Sequence, residues 1–182
     1  MPVEDVFSHR WRGAFFTGRI ERGTVRPGDD VEIVGFGRTG TGEVTAVESF
    51  GQALDEAAAG DNVAVWLRGL RPEDIQRGQI VAAPGTVTQH AGFEAEAHIL
   101  SEEEGGSADA LAAYGKREAQ FSFRTTDVTG RVHTLLRDGT DGTDALMAVR
   151  LAEPVPLAVG QRFAIRERGK AVGSGVVTKV LD

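Results

Sequence analysis

The 182-residue chain has no cysteine. That excludes disulfides, iron–sulfur clusters, thiolate zinc sites and a cysteine nucleophile; it leaves the redox compartment open but suits a cytosol. Positive charge is also in deficit, with a formal net charge of −7. A generic polyanion binder draws its affinity from neutralising phosphates, so any nucleic-acid contact must come from a local patch. No apolar run approaches the roughly 20 residues that cross a bilayer, and no signal peptide opens the chain. The expectation is a cytoplasmic protein with no membrane partner. The phosphate loop G-x-x-x-x-G-K-[ST] is absent, because Gly115-Lys116 and Gly169-Lys170 lack both the upstream glycine and the following Ser or Thr. His9, His90, His98 and His133 are scattered without metal-ligand spacing, and Glu102-Glu103-Glu104 reads as a solvated acidic loop. Neither a cofactor site, a metal site nor a catalytic constellation emerges, so the chain is expected not to be an enzyme.

Glycine, by contrast, is abundant, with 24 residues. It punctuates short runs rich in Val, Ile, Phe and Thr, which is an all-β pattern. Strands are expected over 14–20, 30–34, 43–50, 62–67 and 79–82, separated by turn signals such as Arg26-Pro27-Gly28-Asp29 and Ala59-Gly60-Asp61-Asn62. These suit a small barrel. The stretch 83–92 is small, polar and rich in breakers, as a linker would be. Strand-like runs resume at 93–100, 120–125, 131–136, 145–151, 162–166 and 175–180, enough for a second barrel or sandwich. A short helix is expected over Ser107 to Glu118, and one helical turn over Arg71 to Arg77 with Pro72 at its first position.

Gly35-Phe36-Gly37-Arg38-Thr39-Gly40 matches the spacing of a dinucleotide loop. The alternating Glu43-Val44-Thr45-Ala46-Val47 follows where a helix would be needed, so this reads as a hairpin. Two basic clusters remain. On one strand Arg166, Arg168 and Lys170 would project from one face and could grip phosphates. In His9-Arg10-Trp11-Arg12-Gly13-Ala14-Phe15-Phe16, cations alternate with rings, as in surfaces that stack bases, although only one of the two adjacent phenylalanines can face a given core.

Longer motifs carry a resemblance. Met1-Pro2-Val3-Glu4-Asp5-Val6-Phe7, Thr17-Gly18-Arg19-Ile20-Glu21-Arg22-Gly23 and Gly28-Asp29-Asp30-Val31-Glu32-Ile33-Val34 resemble the second domain of translational GTPases. Ala59-Gly60-Asp61-Asn62-Val63, Leu67-Arg68-Gly69, the run from Phe121 to Gly130, Arg162-Phe163-Ala164-Ile165-Arg166-Glu167 and Val172-Gly173-Ser174-Gly175-Val176-Val177 narrow it to the elongation factor Tu family, over essentially the whole chain. The resemblance implies two small Greek-key β-barrels in tandem, over 1–86 and 91–182, with the family's GTP-binding domain missing. It implies that the first barrel holds the aminoacylated 3′ end of transfer RNA through Glu4, Asp5, Phe7, Glu48 and Asn62. It also implies that the second holds the T stem through Gln120, Thr129 and Glu167. Exchange factor Ts and a GTPase domain are the implied protein partners.

Three departures stand out. Where the family lines its terminal-adenine pocket with small groups, this chain has His9, Trp11 and Phe15. Trp11 then either fills that pocket, the expectation adopted here, or swings out and stacks on the base. The arginine expected three residues after Glu48 is Gly51, and the loop from Gly105 to Gln120 is altered and two residues longer. Two functions therefore compete: the transfer-RNA-binding half of a translation factor, or a protein-interaction module that keeps the fold and has lost normal RNA binding.

Overall fold

A computed structural model describes residues 1–105, 118–138 and 143–182, the last two residues of the second span by backbone alone. The chain divides into two units, Met1–Thr88 and Gln89–Asp182. The helix expected over Ser107 to Glu118 falls outside the described residues except for Glu118, which opens a strand.

In the first unit, β1 (Asp5–His9), β2 (Gly13–Arg19), β4 (Asp30–Gly35), β5 (Arg38–Ser49), β8 (Asn62–Arg68) and β9 (Ile80–Ala82) form one antiparallel sheet in the order β1-β2-β8-β5-β4-β9. β6 (Gln52–Leu54) folds back to pair antiparallel with the end of β5, and β3 (Thr24–Val25) pairs with β7 (Ala57–Ala58). The segment that leads into β1 bonds across to β9: Val3 N–H donates to Gln79 O and Val81 N–H to Met1 O, each at 2.9 Å. The two edges of the sheet are thereby joined. β9, β4, β5 and β8 lie in the 4-1-2-3 order of a Greek key. Alternation sends Val44, Val47, Val63, Val65 and Phe16 inward. Phe16 is fully buried while Phe15 turns outward, as strand alternation requires of neighbours.

In the second unit, β10 (Gln89–Ile99), β11 (Glu118–Phe123), β12 (Thr126–Asp138), β13 (Asp144–Pro156), β14 (Arg162–Glu167) and β15 (Lys170–Leu181) close in the order β10-β13-β12-β11-β14-β15. Here β14, β11, β12 and β13 form the Greek key. The cyclic order equals that of the first barrel shifted by one strand along the chain. Phe93 sits at the centre, its ring edge-on to those of Phe121 (5.6 Å), Phe123 (5.4 Å) and Phe163 (5.1 Å).

Some features differ from the sequence reading, whereas the turn at Pro72 and the hairpin at Phe36-Gly37 agree with it. β10 starts at Gln89, so residues 89–92 of the expected linker are strand. The remainder is tied to the first barrel, with Gly85 N–H donating to Glu32 Oε2 at 2.8 Å and Thr86 Oγ1 to Ala83 O at 2.6 Å. The helical turn is a single 3-10 turn, Pro72–Asp74. The Gly35-Phe36-Gly37 stretch is a hairpin, with Phe36 and Gly37 both at positive φ between paired Gly35 and Arg38. Glycine does more than punctuate. Gly92, Gly130, Gly173 and Gly175 lie inside strands, where neighbouring strands and rings leave no room for a side chain. A Cβ on Gly175 would stand 2.6 Å from both Glu96 O and the Phe163 ring. Gly175→Ala is therefore expected to destabilise the protein by about 1–3 kcal/mol, the usual range for overpacking. Equilibrium unfolding in urea checks this, and an unchanged midpoint contradicts it.

One ionic contact ties strand ends together. His98 on β10 places Nδ1 3.3 Å from Asp144 on β13 and Nε2 3.1 Å from both carboxylate oxygens of Glu104. Glu104 stays exposed, as the sequence reading of an acidic solvated loop expects, but bonds to His98. The Glu104 carboxylate, and then that of Asp144, raise the His98 pKa above its ordinary value. Glu104 is lowered by the Ser101 backbone N–H and then by His98. Because His98 is raised in the folded state, its stabilising effect is full below the unfolded value near about 6.5. It is lost as pH rises through the folded value. Melting temperatures of the parent and His98→Gln should differ at pH 6 and converge toward pH 9. A difference that persists at pH 9 contradicts the ionic origin.

Candidate nucleic-acid interface

Strand alternation and register decide which side chains share the outer face of the first barrel. On β1 the inward residue is Val6, so Asp5, Phe7 and His9 face out. Phe7 pairs with Phe15 on β2, Phe15 with Trp66 on β8, and Trp66 with Ala46 on β5. Three rings therefore stand side by side in one cross-strand row. Phe7 and Phe15 stack at 4.9 Å and 17°, and Phe15 and Trp66 at 4.3 Å and 28°. The fourth position is alanine, which leaves the far face of the indole without a strand neighbour.

Arg12 fills that gap from the β1–β2 hairpin. Its guanidinium carbon lies 3.8 Å from the centre of the Trp66 ring. A phenyl ring and a guanidinium at such distances cannot share one face of an indole, so Phe15 and Arg12 take opposite faces. Arg12 also donates to Glu48 Oε1 at 2.6 Å. The carboxylate is reachable because its cross-strand neighbours are Ala64 and Ala53. Arg12 lowers the Glu48 pKa, with partial burial opposing it and the Trp66 indole adding a smaller lowering. The Trp66 Nε1–H is buried and makes no hydrogen bond of ordinary geometry, so it supports that carboxylate only loosely.

The hairpin tip explains why Trp11 does not fill the pocket. Arg12 N–H donates to His9 O and Trp11 N–H to His9 Nδ1, both at 3.3 Å, which folds the tip into a tight turn with Trp11 at its apex. Arg12 takes the inner place because a guanidinium satisfies both the ring and the Glu48 charge, which an indole cannot. Trp11 is 81% exposed, with Arg10 over its ring at 5.1 Å. The pocket-filling expectation is thus corrected. His9 lies edge-on to Trp66 at 5.9 Å, and Phe15 is built into the stack.

Of the five residues implied for the 3′ end, four share this face: Asp5, Phe7, Glu48 and Asn62, with Phe7 44% exposed. Asn62 opens β8, opposite Arg19, and its carbonyl accepts from Ser49 Oγ at 2.9 Å. Glu4 stands just before β1, outside the row, where its carbonyl accepts from Arg77 at 3.3 Å. Sequence reasoning missed Trp66, hidden in the apolar run Val63 to Leu67, although Ala64, Trp66 and Arg68 alternate with three buried residues. It missed Phe50 too, which is 97% exposed at the tip of the β5–β6 hairpin, two residues beyond Glu48, in the left-handed region at φ 48°.

On the second barrel, register makes Thr129, Gln120 and Arg166 direct neighbours across β12, β11 and β14. Glu167 follows Arg166 and pairs with Lys170, at the other side of the two-residue turn Arg168-Gly169. Arg166, Arg168 and Lys170 therefore span a hairpin, which corrects the expectation that they alternate on one strand. All three remain exposed. Among the described residues no group of three or more His, Asp or Glu is placed to hold a metal.

Two tandem Greek-key barrels, the first with a ring-and-carboxylate outer face and the second with a polar and basic one, define a translation-factor type of β-barrel pair. Residues 13–82 match elongation factor Tu domain 2, and residues 86–181 match the elongation factor Tu C-terminal domain. The chain belongs to the elongation factor Tu family, and its 182 residues contain no match to a GTPase domain.

The Arg12 contact can be tested with Trp66 as reporter. In a Trp11→Phe background, adding Arg12→Ala should shift the remaining indole emission to the red and move the Glu48 titration up toward the usual carboxylate range. Emission and titration that both stay unchanged contradict the stacked ion pair.

Proposed function

We propose that this chain is the aminoacyl-transfer-RNA-binding half of an elongation factor Tu-like translation factor and is not itself an enzyme. The outer face of the first barrel takes the aminoacylated 3′ end, and the β12–β11–β14 face of the second takes the T stem. The observation that carries the reading is the convergence of Asp5, Phe7, Glu48 and Asn62 on one face. Carboxylate and amide oxygens accept hydrogen bonds from ribose hydroxyls, and exposed rings stack on unpaired bases. Trp11, projecting beside two arginines, serves as a stacking platform in this reading. Exchange factor Ts and a GTPase domain are the protein partners it entails, in the cytoplasm.

A second reading has its own observation. Arg12 already occupies the open face of Trp66 and the Glu48 carboxylate, the two groups a terminal base would use. A site that stays closed in this way would leave a fold-keeping module that contacts other proteins.

Gel-shift titrations with aminoacylated, uncharged and unrelated RNA separate the two. The first reading predicts a preference for the charged end, and a loss of roughly 1–3 kcal/mol in Trp11→Ala, the value of one base stacked on an aromatic ring. Equal affinity for all three RNAs, or none, contradicts it and supports the closed site.

A further inference from the structure

Both barrels carry cations without a carboxylate partner. In the first, Arg12, Arg26, Arg68 and Arg71 each have one, whereas Arg10, Arg19, Arg22 and Arg77 have none among the described residues. In the second, Arg150, Arg162, Arg166, Arg168 and Lys170 have none among the described residues, in a chain whose acidic residues outnumber its basic ones by 27 to 20. Most of these cations fall on one face. Arg131 on β12 and Arg150 on β13 stand directly opposite each other, and both are exposed on the outside of the barrel. Like charges directly opposite on a sheet destabilise it. Among the described residues the only carboxylate against them is Glu118, the β11 partner of Arg131, whose Oε1 accepts from Arg131 at 3.1 and 3.3 Å. On the far side of Arg150 the β10 partner is Gly92, which has no side chain to offer.

The register extends this row. Glu118 lies two residues before Gln120 on β11, and Gln120 faces Arg166 on β14, so the turn carrying Arg168 lies beyond Glu118 on the β14 side. Arg150, Arg131, Glu118 and Arg168 thus follow one another over four strand positions, with Thr129, Gln120 and Arg166 in the adjacent row. At about 4.8 Å between strands the row spans about 14 Å.

We infer that Arg131 and Arg150 form a phosphate clamp for the backbone of an RNA stem, continuous with Arg166 and Arg168 around Gln120 and Thr129. The inference rests on the transfer-RNA reading above and deepens it, since none of the residues implied by the resemblance is Arg131 or Arg150. A stem is the ligand the chemistry favours. Double-stranded RNA is held mainly through phosphates and 2′-hydroxyls, and arginine forks grip phosphate oxygens two at a time. A phosphate between two facing arginines also removes the repulsion that the empty sheet carries.

The test uses the full chain, a blunt RNA duplex with no aminoacylated end, and charged and uncharged transfer RNA, each titrated over a salt series. Arg131→Gln with Arg150→Gln should weaken binding of all three and reduce the slope of log affinity against log salt by about one, for the phosphate the two hold between them. Glu118→Gln, which releases Arg131, should move affinity the other way. Slopes and affinities unchanged in the double variant overturn the clamp, even if the parent prefers the charged end. If the parent does not prefer the charged end, yet its duplex binding falls in the double variant, the 3′-end reading fails and the clamp stands. A parent that binds none of the three RNAs overturns both.

Discussion

Closing six antiparallel strands into a barrel leaves each side chain only two directions, and the register between strands then decides which outward residues meet. The row Phe7, Phe15, Trp66 and Ala46 exists because β1, β2, β8 and β5 pair at those positions. A slip of one residue would send the rings into the core and the valines out. Everything proposed for the first barrel depends on that row. Three rings build a stack, one alanine leaves its end open, and Arg12 closes the end while neutralising Glu48. The second barrel applies the same constraint to charge, setting Arg131 opposite Arg150 and Gln120 opposite Arg166.

The parts of the fold legible in the sequence were those where local chemistry and register agree. β2, β4, β8 and β14 follow from alternation bounded by turn residues, and the structure extends or shifts them by no more than a residue at either end. The hairpin at Phe36-Gly37 was readable because no helix could follow it. What stayed hidden depends on residues far apart in the chain. β1 was missed because Asp-Val-Phe-Ser-His has little strand signature and is held by pairing with β2. The in-strand glycines resemble turn glycines until the neighbouring strand is seen to crowd them, as Glu96 crowds Gly175.

The candidate site divides in the same way. Motif resemblance picked out Asp5, Phe7, Glu48 and Asn62, and the fold puts them on one face. It gave no hint of Trp66 or of the role of Arg12, because both depend on which residue lies across the sheet. The choice between filling and swinging out at Trp11 turned on competition for a single place: a guanidinium covers an indole face and neutralises a carboxylate together, whereas a second indole carries no charge to neutralise it. The pairing of Arg131 with Arg150 joins residues 19 positions apart and was invisible for the same reason.

The central claim is that the ring-and-carboxylate face holds the charged end of transfer RNA. An aminoacyl ester held in such a site is shielded from hydroxide. The most direct measurement is therefore the rate of spontaneous deacylation of aminoacyl-transfer RNA with increasing protein. Protection that saturates, and is lost in Glu48→Ala with Phe7→Ala, is the predicted result; a rate that the protein leaves unchanged at concentrations where it binds RNA would contradict the account.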